Sequence, residues 1–176
     1  MIDSLLEHPE AVAAPSLTAE QPADAGQVEA LIDQAFGPGR FAKTAERLRE
    51  GNHPLLDLSF VCRQGEALIG CVRQWPILIG ETPAIFLGPF AVDHEQRSLG
   101  LGAALVNRAC EAARDHGHGV VLLVGDLAYF SRAGFEPVPP GRISLPGPVD
   151  PRRVLWRALK LGATDALSGA VRIPSR

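Results

Sequence analysis

Arg97-x-x-Gly100-x-Gly102 is the pattern in this chain with the most chemistry in it. It follows an apolar run ending Ala91-Val92 and a polar turn, Asp93 to Gln96, and it opens a helical pattern over 99–116. The first turn of a helix leaves backbone N–H groups without an internal partner, and the helix dipole adds positive potential there. With Arg97 alongside, the segment Arg97, Ser98, Leu99, Gly100, Leu101, Gly102, Ala103 is predicted to hold an anion, most simply a phosphate. Three readings compete. A dinucleotide fingerprint needs a third glycine where Leu105 stands and a place after the first strand. A nucleotide P-loop needs Gly-Lys-Ser/Thr, which is absent here. Glycines that merely shape a tight strand-to-helix turn are the third.

The elements that must position this turn can be read from periodicity. A strand is expected over 17–21. Asp24 and Gln27 have the spacing of a capping box for a helix through Val28, Leu31, Ile32 and Ala35, stopped by Gly37-Pro38. Phe41, Ala45 and Leu48 suggest a second short helix closed by Gly51. Leu58–Cys62 and Leu68–Trp75 read as hairpin strands about Gln64-Gly65, and Ala84–Val92 as a further strand. Gly88-Pro89 interrupts that last strand; a proline lacks the ladder donor, so a bulge or an edge is predicted. The long helix should bury Leu101, Ala104, Leu105, Ala109 and Ala112. Val120–Val124 is a continuous apolar run, as in a strand covered on both faces, and strand–helix–strand implies a parallel pair. Tyr129–Ala133 reads as a short helix. The proline-rich stretch 136–151 reads as a surface loop, Val154–Leu161 as a strand, and 164–176 as an appendage closing the sheet.

Length and composition fit one domain, 17–176, after an N-terminal extension, 1–16. A net charge of −3 gives no bulk attraction to nucleic acid or to membrane surfaces. The 17 basic residues are lopsided, with Lys43 and Lys160 the only lysines. Cys62, Cys71 and Cys110 have neither metal nor disulfide spacing and read as small core residues. No apolar run is long enough for a bilayer, and a cytoplasmic setting is expected. No His/Asp/Glu spacing suggests a metal.

The motif Arg97-x-x-Gly100-x-Gly102 resembles the phosphate-binding motif of the GNAT superfamily of acetyl-CoA-dependent N-acyltransferases. Its setting matches too: a mixed sheet with a bulged fourth strand, a long helix, an apolar fifth strand, then Phe130-x-x-x-Gly134-Phe135. The resemblance covers roughly residues 17–161. Val124-Gly125-Asp126 and Leu167-Ser168-Gly169-Ala170-Val171-Arg172 look most like the YhbS-type branch, largely predicted acetyltransferases. The fold implied is α/β (α+β): a mixed, mostly antiparallel sheet of six to seven strands, splayed between strands 4 and 5, with helices on both faces.

The resemblance implies acetyl-CoA as co-substrate, its diphosphate on Arg97–Ala103 and its pantetheine arm between strands 4 and 5. Main-chain groups of Phe90, Ala91 and Val92 would bond the arm as an added strand does, and Phe130 would pack on it. The acceptor is then a primary amine of a small molecule or peptide, and a base must remove its proton. Many relatives carry a glutamate on strand 4; this chain has no acid from Ala84 to Val92. Asp126, at the end of the fifth strand, is the candidate base, although its first reading is as a helix N-cap. Many relatives place a tyrosine where Phe130 stands, to protonate the leaving thiolate. Tyr129 is one step, about 100°, away around a helix. His53, Arg40 and Phe41 lie where relatives build the acceptor wall, and a homodimer is allowed. A non-catalytic acyl-CoA sensor is the rival reading, because it accounts for the missing acid and for Phe130 together.

Overall fold

The computed structural model describes residues 13–175, apart from the side chains of Ser98 and Leu99. Of the expected extension, residues 1–12 therefore lie outside the described residues, and Ser16 already belongs to the first strand. The elements are β1 (Ser16–Ala19), α1 (Ala25–Phe36), β2 (Phe60–Gln64), β3 (Ala67–Ile79), β4 (Thr82–Val92), α2 (Leu101–Asp115), β5 (Val120–Val124), α3 (Leu127–Phe130), β6 (Glu136–Pro137), β7 (Ile143–Ser144), β8 (Val154–Ala158) and β9 (Gly169–Arg172).

The sheet runs β1-β2-β3-β4-β5-β8-β6. Its pairs are antiparallel except β4–β5, which is parallel across the α2 crossover. Beyond this path β9 pairs with the end of β3 at Leu78 and Ile79, and β7 lies parallel to β9. The C-terminal appendage thus closes the sheet beside β3. Helices cover both faces. Val28, Leu31 and Ile32 of α1 pack on Val61, Cys71 and Ala91. Leu105, Val106, Ala109 and Cys110 of α2 pack on the alternate residues Phe60, Cys62 and Val72. Each fully buried aliphatic side chain contributes roughly 1.5–3 kcal/mol, so this two-sided burial holds α1 and α2 against the sheet.

Four local expectations need correction. Asp24 precedes α1, but its carboxylate reaches backward, accepting from the Gln21 amide at 2.8 Å and from Arg63 at 2.5 Å. The expected helix through Phe41–Leu48 is two 3-10 helices, Pro38–Ala42 and Thr44–Leu48, broken at Lys43, where ψ is 147°. Ala104 is exposed; the buried face of α2 runs through Gly102, Leu105, Val106, Ala109, Cys110, Ala112 and Ala113. Finally, β3 does not stop at Trp75 but runs through Pro76 to Ile79. Gln74 turns its carbonyl away from β4 to Leu55, so Pro76 turns the same way, toward a side β2 has already left. No ladder donor is lost there, and the Pro76 carbonyl accepts from Asn52 at 2.9 Å.

Candidate active site

The parallel strands part company almost at once. β4 and β5 pair at Ile85–Val121 and Phe86–Leu122, after which β4 runs on to Val92 and β5 to Val124. The predicted break in β4 is a bulge. Phe90 faces Val72 and Leu87 faces Gln74, so Gly88 and Pro89 stand opposite Arg73 alone. The extra residue bends β4. Buried Trp75 fixes the bend by donating from Nε1 to the Gly88 carbonyl at 2.5 Å. On the other side, β8 pairs with β5 along its whole length. The two strands are therefore held apart by their outer partners.

Backbone polarity in the gap follows from register. The Asp93 amide donates to Ile69 at 2.8 Å, so two residues back Ala91 also turns its peptide groups to β3. Phe90 and Val92 turn theirs the opposite way, into the gap. Ala91 is thereby removed from the three residues expected to bond an arm lying there.

Past Val92, Asp93 accepts from the Glu95 amide at 2.9 Å and caps a 3-10 turn, His94–Leu99. Gly100, at φ +73°, then turns the chain into α2. Ala104 donates the first helical bond, to the Gly100 carbonyl at 3.1 Å, so the amides of Leu101, Gly102 and Ala103 precede the ladder. Arg97 is exposed, with Nε 3.5 Å from the Val92 carbonyl. Gly102 is buried under two aromatic rings: a Cβ there would stand 2.9 Å from Phe90 Cζ and collide with the Tyr129 hydroxyl.

The gap opens into a cavity of about 670 Å³. Phe86–Phe90 form one wall and Leu123–Asp126 with Tyr129 and Phe130 another; the 3-10 segments 40–49 and the loop at Pro148-Val149 close it. Phe130 is buried in edge-on contact with Phe90, Tyr129 and Phe135, at centroid distances of 6.0, 5.0 and 5.8 Å. Tyr129 is 44% exposed. Its hydroxyl lies beside Gly102, at the α2 end of the gap, and partial burial pushes its pKa up, so it stays protonated at neutral pH. The one-step offset from Phe130 therefore carries the hydroxyl toward the turn that opens α2 and away from the deep end. Asp126 stands two residues beyond the end of β5, past Gly125, rather than on the strand, with its side chain exposed and one carboxylate oxygen accepting from the Ala128 amide at 2.9 Å. It caps α3 and lines the cavity at once.

Residues the spacing did not single out complete the wall. Thr44 bonds the Pro148 carbonyl, and Arg47 donates to Pro146 at 2.6 Å, which ties the 3-10 helix to the proline-rich loop. Arg49 and Arg153 also line the cavity; the surplus of arginine over lysine was the one signal that pointed their way. Arg40 lines it too, whereas Phe41 and His53 do not. Cys62, Cys71 and Cys110 are buried away from it, and burial pushes the Cys71 thiol up to about 12 and the Cys110 thiol to about 11. No cluster of His, Cys, Asp or Glu suited to a metal occurs among the described residues, and no helix among them is long and apolar enough to cross a membrane.

Comparison with known proteins agrees with this geometry. Residues 27–135 match the model of the "Acetyltransferase (GNAT) family". The uncharacterized N-acetyltransferase YhbS of Escherichia coli K12 is 33% identical over 119 residues, 66% of this chain and 71% of that protein. A second uncharacterized N-acetyltransferase of the same strain, YjhQ, is 30% identical over 118 residues, 65% of each chain. Among solved structures, E. coli YhbS in complex with CoA superposes with a TM-score of 0.80 at 27% identity, covering 95% of this chain and 93% of that one. A GNAT acetyltransferase from Brucella melitensis in complex with acetyl-CoA shares the fold, at a TM-score of 0.57 and 22% identity over 81% of this chain and 94% of that one.

Proposed function

We propose that this chain, which belongs to the acetyltransferase (GNAT) family, binds acetyl-CoA and moves the acetyl group directly onto a primary amine of a small molecule or peptide. The observation that carries the reading is the open gap between β4 and β5, with backbone groups of Phe90 and Val92 turned into it and the first amides of α2 at its mouth. The diphosphate sits on Arg97 through Ala103. The pantetheine arm lies along Phe90 and Val92, with Phe130 beneath it. That E. coli YhbS was solved in complex with CoA supports a coenzyme of this kind in this fold.

In the transfer, the amine nitrogen attacks the thioester carbonyl carbon, the C–N bond forms and the C–S bond breaks. An amide N–H of β4 in the gap stabilises the developing oxyanion; such a donor is worth roughly 3 kcal/mol. Asp126 receives the amine's proton, through water if the acceptor sits deep. The departing thiolate takes its proton from water without a dedicated acid. The protonated, buried thiols favour direct transfer over an acetyl-cysteine. A cytoplasmic location is consistent with three free cysteines.

Melting with and without CoA tests the cofactor site. At about a hundred times its Kd, CoA adds ~2.7 kcal/mol and should raise Tm by roughly 5–10 °C, with NAD and ATP inert at the same concentration. Equal protection by ATP, or none by CoA, removes the assignment. Binding without turnover of any amine favours the sensor reading.

Steady-state kinetics separate the roles of the two polar residues. Tyr129→Phe should raise KM for acetyl-CoA about tenfold, the loss of one hydrogen bond to a charged group, with kcat nearly unchanged. A fall in kcat of about a hundredfold would instead return Tyr129 to the thiolate. Asp126→Asn keeps an oxygen for the Ala128 amide but removes the base, and should lower kcat about a hundredfold.

A further inference from the structure

The charge lining the cavity is one-sided. Arg40, Lys43, Arg47, Arg49 and Arg153 face it against one carboxylate, Asp126. The cations differ in how far their charge is already answered. Arg40 is spent on α1, with Nη2 2.9 Å from Glu29 and Nε 3.1 Å from Asp33. Arg47 has a neutral partner, the Pro146 carbonyl. No carboxylate pairs with Arg47, Lys43 or Arg153 within 4.0 Å among the described residues.

Arg49 is the informative one. Its side chain is 13% exposed and stands over the Phe86 ring at 5.4 Å, and a Cβ on Gly88 would come within 3.0 Å of its Nη2. A single contact answers the charge, Nη1 to Glu46 at 3.2 Å, and the buried Nε has no acceptor at all. A guanidinium presents five donors in a fixed fork matched to carboxylate and phosphate. Leaving buried donors unmade is costly, so this fork is shaped for an oxyanion that the folded chain does not itself supply. Its position excludes the coenzyme's diphosphate as that anion. Gly88 and Phe86 lie at the deep end of the gap, whereas the amides of α2 lie at the other end, where the Phe90 ring covers Gly102.

We propose that the amine acetylated in this cavity also carries an anionic group, a carboxylate or a phosphate, and that Arg49 binds it at the deep end, with Arg47 adding positive charge to the same cavity. The inference rests on the acetyl-CoA reading above. It also explains how the site works with no acid between Ala84 and Val92. An ammonium entering among these arginines meets like charge, which favours its loss of a proton. The cations that read the acceptor's anion thus help deliver its nitrogen neutral.

Thiol release from acetyl-CoA by the full chain tests this with matched amines. Amino acids are set against their amides, phosphoethanolamine against ethanolamine, and glucosamine 6-phosphate against glucosamine, with spermidine as a cationic arm. The expected result is turnover of an anionic member with kcat/KM about a hundredfold above its neutral partner. Whether the carboxylate or the phosphate pairs show the gap identifies the anion. Arg49→Gln should erase most of that preference and move the rising limb of the pH profile to higher pH, with KM for acetyl-CoA unchanged. Arg47→Gln, at an exposed position where glutamine still offers an N–H to the Pro146 carbonyl, should do so in part. Preference for a neutral amine or spermidine, or discrimination intact in both variants, overturns the inference and leaves the acetyl-CoA reading standing. If no amine reacts, the same carboxylates and phosphates are titrated calorimetrically onto the CoA-loaded protein, and failure to bind overturns it equally. If CoA itself does not bind, the underlying reading has failed and this inference with it.

Discussion

Arg73→Met should destabilise the protein by about 3–5 kcal/mol in urea denaturation, the cost of leaving a partner charge buried and unpaired. Arg73 lies on β3 opposite the Gly88-Pro89 bulge. Its guanidinium holds Glu20 in a fork, Nε at 3.1 Å from both carboxylate oxygens and Nη2 at 2.7 Å from one, while Nη1 reaches Glu29 at 2.5 Å. Glu20 is 2% exposed and follows directly on β1, so it has no route to water without unfolding the sheet edge. The double variant Glu20→Gln, Arg73→Met removes both charges and should regain at least half of the loss. A single variant as stable as the parent would mean that the network is solvated and contributes nothing. Glu29 also binds Arg40, so the network runs from the bulge through α1 to the cavity wall. Loss of Arg73 is therefore expected to weaken acceptor binding as well as stability.

Gly102→Val should weaken CoA binding by between about fivefold and a hundredfold, the equivalent of the ~1–3 kcal/mol that overpacking costs, as read by calorimetry. The two glycines of the motif serve different ends. Gly100 has φ +73° and open space around it, so asparagine, which tolerates that conformation, should be accepted there with little loss. Gly102 has ordinary backbone but no room. A branched side chain must displace Tyr129 and Phe90 together, and the second of these is the strand residue whose backbone faces the gap. If Gly102→Val bound CoA as tightly as the parent, the diphosphate could not be lying where these rings meet α2.

Much of this site was legible before any fold was known. The strand–turn–helix around Gly100, the buried run Val120–Val124 and the break at Gly88-Pro89 rest on local rules: helix periodicity, backbone conformation and the missing donor of proline. The capping role of Asp126 was readable for the same reason. The cavity wall over 40–49 was not. Helical spacing at Phe41, Ala45 and Leu48 predicted one helix, but Thr44 and Arg47 are held by carbonyls of Pro148 and Pro146, and the chain breaks at Lys43 to meet them. No local pattern in 38–51 encodes a partner about a hundred residues away, as those contacts are.

What the amino-acid sequence by itself determined is the turn that opens α2 and the elements on either side, because free amides at a helix start are a property of the backbone and need only the right residues in order. The tertiary structure alone decided which groups meet across the gap. It turned Tyr129 toward Gly102 and Phe130 into the core, set Phe90 and Val92 against Ala91 by ladder parity, and brought Arg49 beneath the bulge. Each of these depends on how separate segments pack, and a side chain's surroundings are fixed only when distant parts of the chain close around it.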